Sequence, residues 1–172
     1  PPGVPVDFPA QLAASMPETR VVLDTSGSTL TEAVRHPIPG IEVLRMDGPE
    51  GEELAGKRLP PLSDTAEFAQ SLVRRGVAKI VIIARGAEGN VLADKDQKLF
   101  AKAAKVKVKS TVGAGDSFVA AFVLALAQGQ THAAALALGS AAASAAVTTD
   151  ATQLCRPEDV MRLLRECTVV AV

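Results

Sequence analysis

Residues 79–84 read Lys-Ile-Val-Ile-Ile-Ala, the most strand-like run in the chain. Ile80 to Ile83 are all β-branched and do not alternate with polar residues. A strand with one wet face alternates; one that does not is covered on both faces, as in a parallel sheet flanked by helices. This reading organises what lies on either side. Upstream, Ser63 to Gly76 has the spacing of an amphipathic helix: Ser63 or Asp64 caps it, Phe68, Leu72 and Val73 line one face, and Gly76 stops it. Ile41 to Met46 is a second strand, and Val21 to Asp24 a short buried strand closed by a turn at Thr25 to Ser28. Asp7 to Met16 places Phe8, Leu12 and Met16 on one helical stripe, with Asp7 as its cap. Gly48 to Pro61 reads as a polar loop with room for a short helical turn.

Downstream, Gly89 to Ala93 and Val106 to Lys109 are strand candidates. In the second, Lys105, Lys107 and Lys109 alternate with Val106 and Val108, which predicts one wet face. Ser110 to Asp116 leads into a long apolar helix ending at Gly129. Thr131 caps an Ala-rich helix running to about Val147, and Pro157 opens another that carries Val160, Leu163 and Leu164. Helix and strand alternate throughout. The expected fold is therefore an α/β sandwich with a mostly parallel central sheet, forming a single unit over residues 1–172.

Composition narrows the function. Of 172 residues, 48% are hydrophobic and 22% charged, which is globular and excludes a disordered chain. Lys and Arg number 18 against 19 Asp and Glu, so no basic excess exists to drive nucleic-acid binding. The only aromatics are Phe, which leaves no stacking platform for single strands. The longest apolar run, Phe118 to Ala127, is too short for a bilayer span, and no signal-peptide pattern opens the chain. Cys155 and Cys167 lack metal-type spacing and read as free thiols, which suits a cytoplasmic protein. The opening Pro1-Pro2-Gly3-Val4-Pro5 reads as a turn or linker, as from the scar of processing or the middle of a longer protein.

Three segments could carry chemistry. In Thr111-Val112-Gly113-Ala114-Gly115-Asp116, two glycines stand between a strand and a helix. Glycine lets backbone N–H groups approach a ligand, and the helix start adds partial positive charge. Such a cradle suits phosphate oxygens or a transition-state anion. The plain alternative is a helix N-terminus whose Asp116 merely answers the macrodipole. A carboxylate at a helix start is a weak base, tolerable in phosphoryl transfer, where the alcohol loses its proton late. The second segment, Ala84-Arg85-Gly86-Ala87-Glu88-Gly89, follows the strongest strand, where open α/β sheets bind ligands; the alternative is a simple hairpin turn. The third is Asp47-Gly48-Pro49-Glu50, whose carboxylates could hold the water shell of Mg²⁺ or could be ordinary loop acids. There is no P-loop and no GxGxxG, and the isolated His36 and His132 argue against a His-based triad or zinc site.

Ser110 to Phe118, STVGAGDSF, resembles the C-terminal signature of the pfkB-type (ribokinase-like) carbohydrate kinases. PPGVP resembles that family's mid-chain segment, VVLDTSG (Val21 to Gly27) its next strand and turn, and GAEG (Gly86 to Gly89) its ATP-phosphate turn. DATQLC, Asp150 to Cys155, resembles the ending of the phosphofructokinase and tagatose-6-phosphate kinase branch. The resemblance covers this whole chain but only the C-terminal half of the family. It implies a three-layer ribokinase-like α/β/α sandwich, incomplete at its N-terminal side, without the sugar-binding half and its lid.

Carried over, the resemblance makes Asp116 the base for the sugar hydroxyl and the backbone of Gly113, Ala114 and Gly115 the anion hole. Ala84, Arg85, Gly86, Ala87, Glu88, Gly89 and Ser144 become ATP contacts, and Asp47 and Glu50 belong to the Mg²⁺ network. Carbonyls around Ser110, Val112, Ala151 and Gln153 lie near a monovalent-cation loop, for an ion such as K⁺. Two positions depart from the family pattern: Asp47 replaces a usual Asn, and Ala84 a common Ser or Thr. The implied activity is transfer of a phosphoryl group from MgATP to a phosphosugar such as fructose 6-phosphate, fructose 1-phosphate or tagatose 6-phosphate. A nucleotide-binding module without catalysis, or a kinase for an unphosphorylated sugar or nucleoside, are the alternatives. Expected partners are the phosphosugar and ATP, plus a second copy or a complementary N-terminal half, with neither nucleic acid nor membrane.

Overall fold

The computed structural model of the chain describes residues 3–151 and 153–172. Pro1 and Pro2 of the opening segment and Thr152 of DATQLC lie outside the described residues. Six strands are ordered in the sheet as in the chain, from β1 to β6. The residues group into two compact units. One takes in the chain through Ala84 with Val91–Lys98 and Val172; the other is Arg85–Asn90 with Leu99–Ala171.

The first unit alternates helix and strand: α1 (Phe8–Ala14), β1 (Val21–Asp24), α2 (Gly27–Arg35), β2 (Ile41–Met46), α3 (Gly48–Ala55), α4 (Leu62–Arg74) and β3 (Ile80–Ala84). β2 pairs in parallel with β1 on one side and β3 on the other, with Val43 opposite Val22 and Ile80. Ile80 to Ile83 are at most 2% exposed, so the non-alternating run is covered on both faces as its sequence implies. α4 ends where Gly76 was expected to stop it. The Gly76 amide reaches the Val73 carbonyl and the Val77 amide the Leu72 carbonyl, with Gly76 at φ 76°, and Val77 and Leu72 both buried. That is a Schellman stop with its hydrophobic contact.

Four local expectations change. α2 begins inside the turn expected at Thr25 to Ser28 and runs on through Arg35, because Leu30, Ala33 and Val34 bury one helical stripe. α3 lies inside the expected loop; Asp47 and Glu50 form a capping box that starts it. α4 begins at Leu62 with Pro61 at the N-cap position, so neither Ser63 nor Asp64 is its cap. Asp7 makes no capping bond to α1; its carboxylate accepts from the Gln11 side chain.

The second unit holds a 3₁₀ turn (Gly86–Glu88) at the start of β4 (Gly89–Ala93), most of β5 (Lys98–Lys102), α5 (Ala114–Ala127), α6 (His132–Ala146), α7 (Pro157–Leu163) and β6 (Val169–Ala171). Val106 to Lys109 is not a strand: the Lys109 amide donates instead to the Val147 carbonyl at the end of α6. The strand is β5, where Leu99 and Ala101 point inward, and it pairs antiparallel with β6. α5 and α6 approach closely because Gly139 faces Phe118, whose ring would lie 3.0 Å from any Cβ there. Phe118 stacks on Phe122 at 5.8 Å. Ala104, Ala141, Ala142, Ala145, Val160, Leu163 and Cys167 form a buried hydrophobic cluster. Both cysteines are free. No helix among the described residues is long and apolar enough to cross a membrane.

Candidate functional site

The loop before α5 is built to aim a helix start. Val112 donates its amide to the Ser110 hydroxyl at 3.2 Å, and Ala114 donates to the Thr111 carbonyl at 3.3 Å. Gly113 sits at φ 78°, the left-handed region that glycine tolerates, and is the N-cap residue of α5. A Cβ built on it would meet no protein atom within 4 Å, so its requirement is conformational. The Ser117 amide closes the first turn on the Gly113 carbonyl at 2.9 Å. Gly115 and Asp116 lie in that turn, where amides have no acceptor within the helix. Asp116 is exposed, so it can face a reactant rather than the core. Of the three expected anion-hole residues, Ala114 has its amide engaged by the Thr111 carbonyl.

The Ala84 to Gly89 segment is a tight reversal. The Arg85 amide bonds the Gly89 carbonyl at 2.8 Å, and the Glu88 amide reaches the Arg85 carbonyl. Gly86 has φ 57° and Gly89 φ 139°. A Cβ on Gly89 would lie 2.0 Å from the Ala101 carbonyl oxygen, so only glycine fits. The Arg85 guanidinium folds back onto the turn, with Nε and Nη2 at 3.0 and 2.8 Å from Glu88 Oε2. Its charge is neutralised locally, which leaves backbone donors as the turn's offering to an anion. Ala87 adds no polar side chain.

Ser144 is not at a surface. It is 5% exposed; its hydroxyl donates to the Ser140 carbonyl at 2.8 Å and accepts from the Ala104 amide at 3.2 Å. Burial pushes the nearby Cys167 thiol up, partly offset by hydrogen bonding to Ala104 and Ser144. Around the expected cation loop, the Thr149 hydroxyl donates to the Gln153 carbonyl at 3.0 Å, the Gln153 amide reaches the Asp150 carbonyl, and Lys109 pairs with Asp150 at 3.6 Å. Ala151 is exposed beside them.

In the first unit, Asp47 and Glu50 cap each other across three residues. The Glu50 amide donates to Asp47 Oδ1 at 2.9 Å, and the Asp47 amide to Glu50 Oε2 at 2.7 Å. Gly48 allows this start to lie against the end of β3, since a Cβ there would come within 3.2 Å of the Ala84 carbonyl. At the ends of β1 and β2, Asp24 pairs with Arg45 at 3.2 Å. Burial raises the Glu50 carboxyl above its ordinary range; the Asp47 amide bond and Arg45 lower it, while the charges of Asp47 and Asp24 raise it further. Carboxylates crowded in this way suit a divalent cation, since each keeps lone pairs beyond its capping bond. Among the described residues no group of three or more acidic, His or Cys side chains is gathered as a metal cage.

Two outcomes follow from this geometry. Asp47→Ala should cost about 1 kcal/mol in denaturant unfolding through loss of the cap, whereas Asp47→Asn should change it by no more than a few tenths, since both residues are good caps. Because folding raises the Glu50 pKa, the folded chain holds that proton more tightly than the unfolded one. In metal-free buffer, stability should therefore fall as pH rises from the ordinary carboxylate range through the raised value. Glu50→Gln keeps the capping acceptor and should flatten that part of the stability–pH curve; an unchanged slope would assign it to another group.

Sequence reasoning missed Asp24, Asn90 and Ser140 as parts of these constellations. The first had a signal, a carboxylate at the carboxyl end of a parallel strand. The other two look like incidental polar residues until β4 and α6 are brought together.

The model of the pfkB family carbohydrate kinases matches residues 8–159. The ATP-dependent 6-phosphofructokinase isozyme 2 of Escherichia coli (strain K12) is 34% identical over 165 residues, covering 95% of this chain and 53% of that protein. A 1-phosphofructokinase of Xanthomonas campestris pv. campestris is 36% identical over 129 residues, 73% of this chain and 40% of that one. The crystal structure of phosphofructokinase-2 from Escherichia coli in complex with substrates and products superposes with a TM-score of 0.88 at 32% identity, covering 97% of this chain and 54% of that one. The chain spans about half the length of these relatives. With a family match across most of its residues and a ribokinase-like α/β fold, the chain belongs to the pfkB family of carbohydrate kinases.

Proposed function

We propose that this chain is the nucleotide-handling half of an ATP-dependent kinase for a fructose phosphate or similar ketose phosphate. The observation that carries the reading is an exposed carboxylate, Asp116, in the first turn of a 14-residue helix whose N-cap glycine is left-handed. The names of the two phosphofructokinase relatives support the acceptor class. In the proposed reaction the sugar hydroxyl oxygen forms a bond to the γ-phosphorus as the bond to ADP breaks, and the hydroxyl proton passes to the Asp116 carboxylate. The α5 N-terminus, with the Gly113 and Gly115 backbone rather than the engaged Ala114 amide, steadies the transferring charge. The Gly86–Gly89 backbone receives the ATP phosphates. Asp47 and Glu50 would hold a hydrated Mg²⁺ through their carboxylate oxygens, an ion that supplies charge neutralisation in phosphoryl transfer. The loop at Ser110, Val112, Ala151 and Gln153 is the proposed place for a monovalent cation.

A second reading, a nucleotide-binding module without catalysis, is favoured by Asp47 standing where the family pattern has Asn. Calorimetry with MgATP followed by an assay with fructose 6-phosphate separates the two. Binding with turnover supports the kinase, binding without turnover the module, and no binding contradicts both. The reading also expects a complementary half. Val4, Val6, Phe8 and Leu12 are all exposed, and β1, at the sheet edge, is only half-buried although apolar. Such an edge is ordinarily covered or paired. Sedimentation of the isolated chain should show association; a stable monomer at high concentration would count against it.

A further inference from the structure

Asn90 follows the Gly86–Gly89 turn directly. It is 7% exposed, and its Nδ2 donates to the hydroxyl of Ser140, 1% exposed, at 3.0 Å. Ser140 belongs to α6, fifty residues further along the chain. One helical turn on, Ser144 carries the bond to the Ala104 amide, and the neighbouring Ala103 amide donates to the Glu88 carbonyl at 3.1 Å inside the turn. The turn is thus tied to α6 on two sides: at its exit through Asn90 and Ser140, and at Glu88 through residues 103 and 104 and Ser144.

α6 has little need of hydroxyls for packing. Its buried face is otherwise alanine and leucine with one glycine, and replacing both members of a buried polar pair by apolar groups is often near neutral for stability. What a buried hydrogen bond adds is direction, because it fixes the rotation of the groups it joins. We infer that Asn90 and Ser140 are a positioning pair that sets the Gly86–Gly89 amides for the phosphates of a nucleotide. This rests on the reading of that turn as the nucleotide site.

The test uses the whole chain, its Asn90→Ala and Ser140→Ala variants, and the double variant, each titrated with MgATP by calorimetry and unfolded thermally. Each single variant leaves one buried polar group without its partner and should lower both stability and affinity. The double variant removes both groups and should lose less stability than the two single losses added together, yet bind MgATP roughly tenfold more weakly than the parent, the order of coupling seen between contacting residues. A double variant that binds as tightly as the parent overturns the inference while leaving the nucleotide site intact. A parent chain that does not bind MgATP overturns the site reading and the inference together.

Discussion

Asp116→Asn should leave MgATP binding near the parent value and slow phosphoryl transfer to the sugar about 10²–10⁴-fold, the usual span for loss of a positioned general base. The variant is nearly isosteric, and Asp116 is exposed in the first turn of α5, so no packing is lost. The amides and helix charge that handle phosphate remain. What disappears is the acceptor for the hydroxyl proton, and with it a favourable charge at the helix start worth at most about 1 kcal/mol. The measurement is a paired one: the nucleotide dissociation constant and the turnover number, in whichever form of the protein supports turnover. A variant that turned over at the parent rate would remove Asp116 from the chemistry. One that lost nucleotide affinity as well would make it a binding residue.

Gly89→Ala should destabilise the chain by about 2–6 kcal/mol and abolish nucleotide binding together with the fold of the turn. Two costs coincide. At φ 139° an L-residue is strained by about 1–3 kcal/mol, and a Cβ placed 2.0 Å from the Ala101 carbonyl oxygen cannot be accommodated without moving β5 backbone, a further 1–3 kcal/mol on the scale of overpacked cores. Gly86→Ala is the natural control. It has a positive φ of 57° but meets nothing within 4 Å, so only the smaller, conformational cost of about 1–2 kcal/mol applies. Denaturant unfolding of the pair should separate them clearly. Equal losses would show that crowding against Ala101 does not set the requirement at Gly89.

The parts of this molecule that could be read from sequence are those dictated by short-range rules. The Ile80–Ile83 run, the Gly76 stop, the Thr131 cap and Pro157 at a helix start all appear where expected, because each answers a local requirement for burial, a left-handed residue, an amide acceptor or a fixed φ. The capping signature at Asp47 and Glu50 is equally local, but its carboxylates invite a metal reading first, and the segment reads as a loop with room for a short helical turn rather than as the eight-residue helix they begin. Val106–Lys109 shows the opposite failure. Its alternation is that of a strand, yet a strand needs a partner, and the chain spends that segment reaching the end of α6 while Lys98–Lys102 pairs with β6. β6 itself is three residues, too short for any periodicity to register.

The candidate site divides along the same line. Gly113 and Asp116 can be placed from sequence because a glycine before a helix and a first-turn carboxylate are local signals; their part in a phosphate site is the proposal made above. Ser144 is a nucleotide contact only by family resemblance; its burial and its bond to the Ala104 amide depend on tertiary packing that no local pattern announces. The Asn90–Ser140 bond spans fifty residues, and no pattern along the chain announces it.

The central claim is that the start of α5 and the Gly86–Gly89 turn together receive a nucleotide's phosphates. The most direct measurement is a titration of the ¹⁵N-labelled chain with MgATP, followed by amide chemical shifts. The account predicts that the largest displacements fall on Gly86 to Gly89 and on Gly113 to Asp116, saturating together. Saturable binding that leaves both segments unmoved and perturbs amides elsewhere would contradict it.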